Sequence, residues 1–101
     1  MQSWYGPRFE REMGCVEREF RSWLPGATRN APMADDGPGR IRLSLPAGGT
    51  LSLSLETLPP RQLGMARFPR LQVVFDFIDT ADADRVAFMR YFDLFTQRGG
   101  G

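Results

Sequence analysis

At 101 residues, with 42% hydrophobic and 25% charged side chains, the chain has the size and balance of one soluble globular domain. It carries no histidine, no lysine and one cysteine, and its 13 arginines against 12 acids leave a net charge of +1. That vocabulary excludes a Ser-His or Cys-His pair, a Schiff-base lysine, and a metal site built from imidazoles or paired thiolates. No apolar run is long enough to cross a bilayer, and the first residues lack a basic segment followed by an apolar one. One thiol makes no internal disulfide, so a cytoplasmic setting is expected.

Residues 7–24 read as an amphipathic helix. Pro7 suits a first helical position, and Phe9, Met13, Val16, Phe20 and Trp23/Leu24 recur at steps of three and four. Pro25-Gly26 is expected to end it. Cys15 falls beside that apolar stripe with no histidine to activate it, which makes it a structural cysteine. Residues 27–39, rich in Pro, Gly, Asn and Asp, read as a flexible loop between this helix and a hairpin.

The clearest pattern spans residues 40–57. Ile41, Leu43 and Leu45 alternate with Arg40, Arg42 and Ser44. After Pro46-Ala47-Gly48-Gly49, Leu51, Leu53 and Leu55 alternate with Ser52, Ser54 and Glu56. Period two on both sides of a turn predicts a β-hairpin with one leucine face and one polar face. Residues 58–70 contain Pro59-Pro60 and Pro69 and admit either an irregular strand or a helical turn. Residues 71–78 form a third strand, with Leu71, Val73, Phe75 and Phe77 on one side.

Residues 80–97 read as a closing helix. Asp79 or Thr80 is placed to cap it, and Asp82 and Asp84 stand in its first turn, where the macrodipole favours negative charge. Phe88, Phe92 and Phe95 make one stripe with Met89 beside it. Val86, Tyr91 and Leu94 fall largely on the other side. Gly99-Gly100-Gly101 reads as a frayed tail. Unlike a ubiquitin-like diglycine, it follows a helix and not a strand.

The expected architecture is therefore a single α+β domain. A small antiparallel sheet of three to four strands carries an N-terminal and a C-terminal helix, in the order α-β-β-β-α. Double-stranded RNA-binding domains share that order and grip phosphate with lysines at the start of the last helix. Here that position reads Asp79 to Asp84 with three acids, which repels phosphate.

Two functional readings follow. The first is a small non-enzymatic protein-interaction domain, adaptor or regulatory, that binds a protein partner or a second copy through Val86, Tyr91 and Leu94. The alternative is weak nucleic-acid binding through Arg40, Arg42, Arg67 and Arg70. Residues 37–78 hold five arginines against Glu56 and Asp76, a balance of +3. Asp76, Asp79, Asp82 and Asp84 lack the alternating ligands and glycine of a calcium loop. No metal, cofactor or membrane contact is expected.

Overall fold

The computed structural model describes residues 5–97; the predicted glycine tail and Arg98 lie outside the described residues. The fold is α+β, in the order β1 (Arg8–Met13), α1 (Glu17–Ala27), β2 (Met33–Asp35), β3 (Arg40–Ser44), β4 (Thr50–Leu63), β5 (Ala66–Ile78) and α2 (Asp82–Phe95). All five strands join one antiparallel sheet in the order β1-β5-β4-β3-β2. The sheet thus has five strands where three to four were expected, and the element order opens on a strand. No helix among the described residues is long and apolar enough to cross a membrane.

The first correction concerns residues 7–24. The segment divides into β1, a turn through Gly14 and Cys15, and the start of α1. Strand β1 has a period of two: Phe9, Arg11 and Met13 face the helices, and Arg8, Glu10 and Glu12 face away. The inward position of Arg11 hid that alternation. Pairing with β5 (Phe9 with Phe75, Arg11 with Val73) covers an apolar strand edge, which outweighs the local helical spacing.

Helix α1 begins one residue after Val16, whose backbone N–H donates to Glu19 Oε1 at 3.3 Å. Its first turn holds Glu17 and Glu19, as the helix dipole favours. It also runs through Pro25 to Ala27, past its expected end. Proline lacks only one ladder donor there, near the last turn. Gly26 lets the Phe95 ring of α2 approach closely, and a Cβ there would have to push that ring aside. The expected loop 27–39 contains the three-residue strand β2, which pairs with β3.

The hairpin and third strand lie where the alternation placed them. Ile41, Leu43, Leu51, Leu53, Leu55, Leu71, Val73, Phe75 and Phe77 are all buried on one face. Both helices cover that face with aromatic contacts. Phe92 of α2 sits edge-on to Phe75 at 5.5 Å and 6.2 Å from Phe20 of α1, while Phe88 meets Phe77 at 5.8 Å. Helix α2 has Ala81 as its N-cap with no side-chain cap, so neither Asp79 nor Thr80 serves that role. Thr80 instead turns its hydroxyl to the Ile78 carbonyl, 3.1 Å away.

Candidate functional site

Strands β4 and β5 are too long for the sheet that holds them. The pairing of β1 with β5 ends at Met13–Leu71, and that of β3 with β4 ends at Arg40–Ser54. Beyond those points β4 and β5 are each other's only strand partners among the described residues, and residues 59–69 form a two-stranded arm exposed on both faces. Five residues of strand reach about 17 Å, in keeping with a longest dimension of 45 Å.

The prolines that obscured this segment explain its form. The register shifts between Leu58 and Arg61, so Pro59-Pro60 together oppose Pro69, which is a β-bulge. Proline removes a donor that a free edge does not need, and it blunts that edge against stray strand pairing. The tip is a two-residue turn, Gly64-Met65, with Gly64 at φ 59°. That positive φ at the first central position is what a type II′ hairpin turn demands.

The arm carries apolar side chains that remain exposed among the described residues. Leu63 is 60% exposed, Met65 99% and Phe68 47%. These are three of the seven exposed large apolar residues among the described residues, gathered on one eleven-residue segment. Arg61 and Arg67 accompany them, and no acid occurs between Glu56 and Asp76.

The root of the arm is fixed by charge. Arg70 places Nε and an Nη on the two carboxylate oxygens of Glu12, at 3.0 and 2.9 Å, and its other Nη donates to the Pro59 carbonyl at 3.2 Å. Arg61 stands 3.6 Å from the same carboxylate. The hydrogen bonds from Arg70 hold the Glu12 carboxyl below its ordinary range. One β1 side chain thus ties both arm strands to the body.

The expected nucleic-acid residues divide into two groups. Arg67 and Arg70 lie on or at the root of the arm, joined there by Arg61. Arg40 and Arg42 lie on the helix-free face of the sheet, where Arg42 bonds Asp36 at 3.3 Å. The expected interface residues occupy three environments on α2. Val86 is half-buried and packs against the core. The ring of Tyr91 lies 4.0 Å beneath the Arg29 guanidinium, beside a cavity of about 280 Å³ that Phe88, Ala87 and Pro46 also line. Leu94 is 46% exposed.

The remaining reactive groups are occupied structurally. Cys15 is buried in the turn before α1, and burial, with help from Glu19, pushes its thiol up to about 11. Asp93 of α2 accepts from the Tyr5 hydroxyl at 2.6 Å and from both Nη atoms of Arg11. Arg85 is buried and donates to the Tyr5 carbonyl and to Asp82, each at 2.8 Å. Asp76 bonds Arg8. Among the described residues, no three His, Cys, Asp or Glu side chains gather to hold a metal ion.

The arm itself was the feature that residue-by-residue reading missed. Its signal was present: Arg61/Leu63 and Ala66/Phe68 alternate about Gly64, in an acid-free stretch between Glu56 and Asp76. No protein-family model matches the chain, and no curated protein matches it.

Proposed function

We propose that this chain is a small non-enzymatic protein-interaction domain whose contact element is the β4–β5 arm. The observation that carries this reading is the display of Leu63, Met65 and Phe68 on a ribbon with both faces open. Phe, Met and Arg are the residue types enriched at protein interfaces, and the arm combines all three. Isolated two-stranded ribbons are marginal in water, so contact with a partner stabilises the arm as well as the complex. The α2 face, expected from spacing alone, offers Leu94 as its one exposed large apolar residue. It is the secondary surface. A cytoplasmic setting agrees with the single buried thiol.

A photo-crosslinking amino acid at Leu63, compared with one at Leu94, tests this assignment. Protein adducts from position 63 and few from position 94 are expected. Adducts from 94 alone would move the interface to α2.

Nucleic-acid binding is the second reading, favoured by the acid-free run with Arg61, Arg67 and Arg70. Two or three phosphate contacts predict a shallow salt dependence, with log K falling by roughly 2–3 per decade of salt. Glu10, Glu12 and Glu56 border the arm root on the helix-free face and oppose a phosphate backbone. Protein is the better-supported partner.

A further inference from the structure

We infer that the partner of the arm is a second copy of this chain, packed helix-free face to helix-free face. This inference rests on the arm being a protein-contact element. It follows from the order of charged and apolar rows along that face.

Cross-strand partners share a face, and rows on one face recur every two residues, about 7 Å apart. The row Arg70–Leu58 marks the arm root. One row toward the tip stand Phe68 and Arg61, and beyond them Ala66 and Leu63. One row toward the body stand Glu12, Gln72 and Glu56, and beyond them Glu10, Val74, Ser54 and Arg40. On β4 and β5, basic and apolar side chains therefore lie on one side of the root, and at matching distances on the other the same two strands carry Glu56, Gln72, Ser54 and Val74.

That is the condition for an isologous interface, in which one surface supplies both a patch and its complement. A two-fold axis lying in the interface along the Leu58–Arg70 row superposes each outward row on the inward row of the second copy. Arg61 then meets Glu56, Phe68 meets Gln72, and Leu63 and Ala66 meet Ser54 and Val74. Leu58 packs on its own equivalent. The two Arg70 side chains approach each other with their charge already offset by Glu12.

The pairing also supplies a partner that the single chain lacks. Glu56 is exposed and makes no ion pair among the described residues. Among the described residues Arg61 reaches only Glu12, which Arg70 already engages in two hydrogen bonds. Aligned sheet-on-sheet contacts are a common packing, so no rearrangement of the body is required.

The test is the solution mass, by sedimentation equilibrium from micromolar to submillimolar concentration. The wild-type chain is expected to reach a dimer. Arg61→Glu and Glu56→Arg each create two like-charge contacts across the axis, and each is expected to weaken association at least about tenfold. The double variant R61E/E56R restores opposite charge at both contacts and is expected to return to within about threefold of wild type. Both positions are exposed, and thermal melts check that all variants fold.

A wild-type chain that stays monomeric throughout overturns the inference, as does a dimer indifferent to either charge reversal. So does a double variant no stronger than the singles. A crosslinker at Leu63 separates this failure from failure of the arm assignment. Self-adducts support the second copy. Adducts to a different protein, with monomeric mass, retire the second copy and leave the arm as contact element. Adducts to nucleic acid, or none, retire both.

Discussion

Asp93 accepts three hydrogen bonds from two side chains brought to it from the far end of the chain, Tyr5 and Arg11. The Arg11 guanidinium is packed over the rings of Phe9, Phe75 and Tyr5 at 5.4–5.7 Å, so it has exchanged most of its water for these contacts. Removing the carboxylate charge strands a half-buried cation. Asp93→Asn is expected to cost about 1–3 kcal/mol of stability, and Tyr5→Phe, which deletes one hydrogen bond, about 1 kcal/mol. Thermal melts distinguish the two, since about 1 kcal/mol moves the midpoint of a domain this size by roughly 4–8 °C. Cys15 gives a pH-dependent counterpart. Its folded thiol ionises near 11 against an ordinary 9.0, so the unfolded chain loses that proton first as pH rises. Stability is therefore expected to fall between pH 9.0 and about 11, at up to about 1.4 kcal/mol per unit. Tyr5, raised first by burial and then by Asp93, adds loss of the same sign above pH 10.0. Urea unfolding across that range checks this, and Cys15→Ala should flatten the thiol part. Native Cys15 should also resist alkylation until the chain unfolds.

Helix α2 shows how a two-sided apolar pattern is divided by its neighbours. Met89 and Phe92 are fully buried, Phe88 and Phe95 pack partly against the core, and Val86 joins them from the flank. Leu94 alone among its large apolar residues stays open. Val86→Asp, which buries an unpaired charge beside the core, is expected to cost about 2 kcal/mol or more. Leu94→Asp is expected to stay within about 0.5 kcal/mol. Equal losses at both positions would mean that a further element covers Leu94. The helix was legible because phenylalanines at steps of three and four leave few alternatives. The hairpin was legible because six aliphatic residues alternate with polar ones on both sides of a Pro/Gly turn. Strand β1 was not, because its period-two pattern includes Arg11, whose inward position depends on Asp93, 82 residues away. Helix α1 was misplaced for the same reason: Phe9 and Met13 match its spacing by coincidence and belong to the strand. Pro25 does not end α1, and Pro59-Pro60 does not end β4, because the missing donors fall in a last helical turn and at a bulge on a free edge.

At the scale of the molecule, cohesion is concentrated at the junction of the two chain ends. Strand β1 fills the outer edge of β5, the Pro7 carbonyl accepts from Phe77 N–H at 2.7 Å, and Arg85 reaches back to the Tyr5 carbonyl. The arm contributes to none of this. Its side chains are exposed, and only the Glu12 clamp at its root links it to the body. A segment kept in that state is expected to serve contact rather than folding, and the two roles separate in one experiment. Leu58 and Arg70 are already cross-strand partners. Residues 59–69 can therefore be replaced by an Asn-Gly pair, which closes a two-residue hairpin between them. The shortened chain is expected to unfold cooperatively with a free energy within about 1 kcal/mol of wild type, because no buried contact is lost and the closed loop is shorter. It is also expected to lose self-association completely, since Arg61, Leu63 and Phe68 leave together. Acidification gives a milder version of the same loss. As pH drops through the lowered Glu12 value, the clamp on Arg70 is released, so the protection of the arm amides against exchange should fall. Global unfolding on arm replacement would instead place the ribbon within the cooperative core, and the surface it displays would then need a structural explanation.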